Sequence, residues 1–141
     1  MPLQGLDEVK KMIAANKKKR NLDLRGVYFS GLRAIIKQTP VDEGRAKNNW
    51  FLTVGMPSGL VGRGDNQGGN DSYVSISKMP PYILNKKVYF TNNLPYIETL
   101  EYGGYPNPNK GKRTTGGFSN QAPGGWVRGT LIAMQTKVKK L

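Results

Sequence analysis

The side chains that carry most enzyme chemistry are scarce in this sequence, which has 141 residues but no His and no Cys. Ser–His–Asp triads, Cys–His pairs and metal sites built from His or Cys are therefore excluded. Glu98 and Glu101 are spaced to share one face of a helix, where two carboxylates could perform acid–base catalysis or bind a metal. Such a pair more often forms a surface salt bridge or a subunit contact. We therefore predict no catalytic residue, no metal site and no cofactor.

A glycine-rich stretch contains the other candidate ligand groups. The motif at residues 62–65, Gly-Arg-Gly-Asp, lacks the spacing of a dinucleotide-binding or Walker loop, and no helix is predicted directly after it. Asp65 and Asp71 could offer oxygen ligands to Ca²⁺, but their spacing does not match a calcium-binding loop. A flexible polar loop is the simpler interpretation of this stretch.

The net charge is strongly positive, because 22 Lys and Arg residues outnumber nine Asp and Glu residues and give +13. A polyanion such as nucleic acid is therefore a candidate partner. The basic residues that we expect to face DNA lie in two groups: Lys17, Lys18, Lys19, Arg20, Lys110, Lys112 and Arg113. Phosphate binding would make the affinity salt-sensitive, whereas a solvated helix face explains the first group equally well. Since no DNA-reading motif is recognisable, any contact would be independent of DNA sequence.

The elements that must position these residues begin with an N-terminal helical pattern over residues 6–37. Its apolar positions are spaced by three and four on either side of a polar run, at Leu6, Val9, Ile13, Leu24, Tyr28, Leu32 and Ile35. The polar run at residues 16–21 leaves two alternatives, one continuous helix or two helices meeting near residues 21–23. A continuous helix would be about 48 Å long, whereas such a domain has a radius of gyration of about 14 Å. One end would then overhang and contact another subunit.

Three further helices are predicted. Pro40 ends the first helix, and Asp42 caps a short one over residues 43–48. Asn93 caps another helix, which continues to Tyr102 and ends at Gly103. The last helix has a regular apolar stripe formed by Val127, Leu131, Met134, Val138 and Leu141.

Three short β-rich runs predict an antiparallel sheet of at least three strands, at residues 50–54, 73–77 and 87–91. Two long loops are predicted to project from it, at residues 55–71 and 104–125. We therefore expect one α+β domain over residues 1–141, with a small antiparallel sheet packed against the N-terminal and C-terminal helices. No apolar run approaches the roughly 20 residues of a membrane helix, and no signal-peptide pattern is present, so we expect a soluble product that is not secreted by that route.

Three stretches in order carry a resemblance to a known family. Residues 39–45 read Thr-Pro-Val-Asp-Glu-Gly-Arg and lead to Asn49-Trp50; residues 92–96 read Asn-Asn-Leu-Pro-Tyr and lead to Leu100-Glu101-Tyr102-Gly103; residues 122–128 read Ala-Pro-Gly-Gly-Trp-Val-Arg. Their order and spacing resemble the neck and tail-completion (head–tail joining) proteins of long-tailed bacteriophages. Glu43 departs from the pattern, which often has a small residue there.

The resemblance implies a non-enzymatic structural protein of the virion, made in the host cytoplasm and assembled as a ring at the head–tail junction. Its partners would be connector, neck and tail proteins, with non-specific DNA contact in the channel and no membrane contact. The implied contact residues are Arg45, Trp50, Tyr96, Glu98, Glu101, Tyr102, Trp126 and Arg128. Arg45 is expected to pair with Glu98 or Glu101. The alternatives are a stand-alone basic nucleic-acid-binding protein, suggested by charge, and a phage hydrolase that uses Glu98 and Glu101.

Overall fold

The computed structural model describes residues 5–40, 44–103 and 125–141 and confirms an α+β architecture. The elements follow the chain as α1 Leu6–Gln38, α2 Arg45–Asn48, β1 Phe51–Val54, α3 Asn70–Ser77, β2 Val88–Thr91, α4 Ile97–Tyr102 and α5 Trp126–Lys139. The predicted long N-terminal helix, C-terminal helix and small antiparallel sheet are all present. Residues 41–43 and 104–124 lie outside the described part, and with them Asp42 as a cap, the second predicted loop and the basic residues Lys110, Lys112 and Arg113.

The helix α1 is continuous over 33 residues, which decides between the two alternatives for the N-terminal segment. Every residue from 5 to 20 is exposed, and burial begins at Asn21, which is 6% exposed. The Asn21 amide donates to the Pro81 carbonyl at 2.7 Å and accepts from the Ile83 backbone N–H at 2.8 Å. Residues 6–20, called the arm below, therefore extend about 22 Å beyond this anchor.

The second half of α1 forms the centre of the core. Ile35 and Ile36 are 1% and 0% exposed and belong to a cluster that includes residues of α3, α4 and α5. The helix α5 crosses α1 at Gly31, where a Cβ atom would lie 2.2 Å from Sδ of Met134. Since α5 meets α1 near Ile35 through Trp126 and near Gly31 through Met134, the two helices run antiparallel. The absence of a side chain at Gly31 thus allows close helix packing.

Within the described ranges the sheet has two strands, β1 and β2, paired antiparallel with Leu52 opposite Phe90. The prediction of a third strand at residues 73–77 is wrong, because this segment belongs to α3. The hydroxyl groups of Ser72 and Ser75 accept from the backbone N–H groups of Trp50 and Leu52 at 3.0 and 2.8 Å. Side chains of α3 therefore satisfy the edge of β1 where a third strand would otherwise pair.

The start of α4 also differs from prediction. The helix begins at Ile97 with Tyr96 in the N-cap position, so Asn93 does not cap it. The Asn93 amide instead donates to the backbone carbonyls of Ser58 and Leu60, at 2.6 and 3.3 Å. Residues 55–69 contain no helix or strand, and these bonds hold their first part beside β2.

Candidate contact surfaces and the residues that support them

The turn between α1 and β1 is built around two buried asparagines that the sequence did not single out. Asn48 is 2% exposed, and its amide nitrogen donates to the Gly64 carbonyl at 2.9 Å and to Asp71 Oδ2 at 2.8 Å. Its amide oxygen accepts from the Asp71 backbone N–H at 2.8 Å. Asn49 is 0% exposed and exchanges hydrogen bonds with the Arg63 backbone, as donor at 3.1 Å and acceptor at 3.2 Å. An Asn pair beside a predicted turn was the only available signal for this role.

Arg63 closes the glycine-rich loop onto this turn. Its guanidinium donates to the carbonyls of Asn48 and Trp50 and lies 3.8 Å from the centre of the Phe51 ring. Burial lowers the pKa of Arg63, and the nearby Asp71 carboxylate partly offsets this by raising it. The first predicted loop is thus attached to the body at Arg63.

The two tryptophans are core residues of the chain. Trp50 is 5% exposed, stacks on Phe90 with ring centres 4.9 Å apart, and donates from Nε1 to the Thr39 hydroxyl at 3.0 Å. Trp126 is 3% exposed and donates from Nε1 to the Ile35 carbonyl at 3.2 Å. Both side chains therefore leave little surface for the partner contact that was expected of them.

Glu101 joins α4 to the start of α5. Its side chain is 7% exposed, and its carboxylate accepts from the backbone N–H groups of Val127 and Arg128, at 2.9 and 3.1 Å. The guanidinium of Arg128 lies 3.4 Å from the same carboxylate and 4.4 Å from the centre of the Tyr102 ring. Glu101 therefore satisfies N–H groups that a helix start leaves without intrahelical partners.

The expected ion pair of Arg45 is not observed. Among the described residues Glu101 pairs with Arg128, and no ion pair joins Arg45 to Glu98. Arg45 lies exposed at the start of α2, and its backbone carbonyl accepts from the Asn49 side chain at 2.7 Å. The physical reason is that the first turn of α5 provides Glu101 with backbone donors as well as a cation.

Four of the eight predicted contact residues remain exposed: Arg45, Glu98, Tyr102 and Arg128. Tyr102 is 61% exposed and Arg128 covers one face of its ring. Tyr102 lies at the end of α4 and Arg128 at the start of α5. A 2.9 Å hydrogen bond from the Gly125 N–H to the Glu101 carbonyl joins these two helix ends. Tyr96 is half-buried and packs against the core.

The first predicted DNA-facing group lies on the arm. Lys17, Lys18, Lys19 and Arg20 are all exposed. Because successive helical residues are rotated by about 100°, these four encircle the helix and do not form a single basic face. The arm carries six basic and two acidic side chains, so it is positively charged, as is the chain as a whole.

In the described parts of the chain, no group of three or more Asp and Glu residues is placed to hold a metal ion. The groove between α1 and α5, of about 440 Å³, is lined mainly by small side chains such as Ala34, Thr130 and Ala133. Within the same described ranges, no helix combines the length and apolar character needed to cross a membrane.

Comparison with known proteins gives no relative. No protein-family model, curated protein or solved structure matches the chain. Function is therefore inferred from the sequence motifs and from where the fold places them.

Proposed function

We propose that the chain is a non-enzymatic structural protein of a long-tailed bacteriophage, assembled as a ring at the junction between head and tail. The observation that supports this most is the meeting of the three resemblance stretches in the fold. Asn92 donates to the Ala46 carbonyl at 2.8 Å and so joins the second stretch to the first. Glu101 binds the start of α5 and so joins the second to the third. Residues distant in sequence are thus parts of one structural joint.

The roles of the motif residues fit a scaffold. Thr39 and Trp50 fix the turn after α1, while Gly44 has φ 83° and lies against the backbone of Asn66. Such a left-handed, closely approached position favours glycine. These residues hold elements of the fold together, which is what the proposed structural role requires of them.

Genetic disruption in the parent phage tests the proposal. Loss of the protein should leave full heads and complete tails that fail to join, visible by electron microscopy, and expression of the intact chain should restore infectious particles. Cryo-electron microscopy of restored particles should place a ring of this fold between connector and tail. Normal infectious particles without the protein would refute the junction role.

A stand-alone nucleic-acid-binding protein is the second candidate, favoured by the +13 charge and the exposed basic arm. The two functions differ in what the isolated chain does. Tight duplex binding with a steep salt dependence would favour the second candidate, because each neutralised phosphate adds to the slope. A junction protein needs only weak contact with DNA that passes through a ring.

A further inference from the structure

The arm has an apolar stripe that nothing in the described chain covers. Leu6, Val9 and Ile13 are 45%, 51% and 49% exposed, although their spacing places them on one side of α1. A soluble helix normally buries such a stripe. An exposed stripe on a charged, projecting helix therefore indicates a missing partner surface.

The stripe is continuous with an interface that already exists within the chain. Val9 lies five helical turns before Val27, and Ile13 lies five helical turns before Gly31. The two residues of each pair therefore have the same angular position on α1. Val27 is 9% exposed, and Gly31 contacts Met134 of α5. The face that α5 covers near the body thus continues along the arm, beyond the C-terminal end of α5.

The outer flank of α5 has a matching stripe. Leu131 and Val138 are 45% and 39% exposed and lie seven residues apart. Leu6 and Ile13 of the arm are also seven residues apart, so an antiparallel register can place both pairs opposite each other, about 10 Å apart along the helix. Helices α1 and α5 already pack antiparallel within the chain.

The charges agree with the same orientation. Asp7 and Glu8 lie in the first turn of α1, whereas Lys137 and Lys139 lie in the last turn of α5. An antiparallel arrangement brings the acidic turn of one helix beside the basic turn of the other, with the helix dipoles also opposed favourably.

We propose that the arm of one copy packs antiparallel along the outer flank of α5 in the next copy, with Leu6 opposite Val138 and Ile13 opposite Leu131. This inference rests on the proposed ring. Each copy gives one arm and accepts one, which is a head-to-tail contact of the kind from which rings are built. The patch is much smaller than the roughly 800 Å² per partner of a stable pair, so the contact is weak until closure adds further contacts.

Cysteine cross-linking tests the register, since the chain has no Cys of its own. Purified full-length Ile13→Cys and Leu131→Cys variants are mixed at millimolar concentration under mild oxidation. We expect a disulfide-linked dimer containing one copy of each variant. The matched control is Lys11→Cys with Leu131→Cys, because Lys11 lies on the opposite side of the arm, and it should give only background cross-linking.

Charge exchange supplies a second test that does not depend on apolar packing. Asp7→Lys with Glu8→Lys in the arm variant should lower the cross-linked yield about tenfold through like-charge repulsion. Lys137→Glu with Lys139→Glu in the partner variant should restore it. All these side chains are exposed, so circular dichroism should show an unchanged fold.

The outcomes separate this contact from the junction role. A mixed yield no higher than the Lys11→Cys control overturns the contact, as does a predominance of dimers that link two copies of the Ile13→Cys variant, which would mean that arms pair with arms. If cross-linking succeeds but particles form normally without the protein, the contact stands and the junction role fails. If cross-linking fails while heads and tails still require the protein to join, the junction role stands alone.

Discussion

At Gly44 the addition of one methyl group tests the joint after α1. A Cβ atom there would lie 2.4 Å from the backbone carbon of Asn66, and φ is +83°. Neither backbone can yield easily, so Gly44→Ala should lower the free energy of unfolding by about 3 kcal/mol. Urea denaturation followed by circular dichroism measures the change.

Gly26 provides the matched control for this substitution. It lies within α1, and a Cβ atom there would meet nothing within 4 Å. Gly26→Ala should therefore raise the free energy of unfolding by up to about 1 kcal/mol, because Ala favours a helix more than Gly does. Effects of the same sign at both positions would contradict the close approach at Gly44.

Glu101 and Glu98 provide a second matched pair. Glu101→Ala removes the acceptor of two backbone N–H groups at the start of α5 and should cost about 2–3 kcal/mol. Glu98 is exposed on the same short helix, and Glu98→Ala should change stability by less than about 0.5 kcal/mol. Chemical denaturation of both variants measures the two costs. Equal costs would disprove the capping role of Glu101.

The role of Glu101 also shows which kind of contact could not be predicted from neighbouring residues in the sequence. The pattern correctly placed the end of the first helix just before Pro40. It wrongly paired Arg45 with the acids of α4. The true partner of Glu101 is Arg128, and this pairing exists only because the chain returns to Glu101 at Gly125. Contacts across so long a separation depend on tertiary packing, which residue spacing does not encode.

At the scale of elements, the wrong strand at residues 73–77 has a specific cause. Tyr73, Ser75 and Ser77 alternate with Val74 and Ile76, a pattern of period two. The buried residues of α3, however, are Ser72 and Ile76, four apart as in a helix. A segment this short fits both periods, so its local pattern does not separate a strand from a helix.

The helix α1 was predictable from the sequence. The overhang of one end was also predictable, on the condition that the helix is continuous. Its continuity was undecided because the polar run at residues 16–21 looks like a break in a stripe that must be buried. The run is instead the place where burial ends. Asn21 is the last polar residue of that run and the first buried one, fixed by the backbone of Pro81 and Ile83.

Hydrogen exchange should divide α1 into two parts. A helix of about 15 residues without tertiary contacts is marginal in water, and the arm is exposed throughout. Backbone amides of residues 6–20 should therefore exchange much faster than those of residues 27–38, which belong to the core. Mass spectrometry after short labelling measures this. Equal protection in the dilute free chain would mean that the arm is covered before any assembly.

At the scale of the whole molecule, the sequence predicted an α+β architecture, which the structure confirms. The described residues leave the arm and Tyr102 exposed. Leu6, Val9 and Ile13 are exposed apolar residues, and the neighbouring copy proposed above would cover them. The partner surface was therefore visible only once the fold separated the covered stripe of α1 from the uncovered one.

We expect the whole molecule to bind DNA weakly and with a salt-dependent affinity, mainly through the arm. Log–log plots of affinity against salt fall by about 0.9 for each neutralised phosphate. Lys17, Lys18, Lys19 and Arg20 encircle the helix, so about two of the four can face one duplex. Changing all four to Gln should therefore lower the slope magnitude by about 2, measured by fluorescence anisotropy of the isolated chain with a labelled duplex.

Removing positive charge from the body separates a local effect from a general one. Lys78, Lys86 and Lys87 are exposed outside the arm, and changing all three to Gln removes a similar charge. If the arm is the DNA-facing element, this variant should keep the original slope to within about 1 and lose affinity only slightly. Equal slopes for the arm and body variants would instead mean that DNA senses the total charge of the molecule, and the arm would lose its assignment as the DNA-facing part.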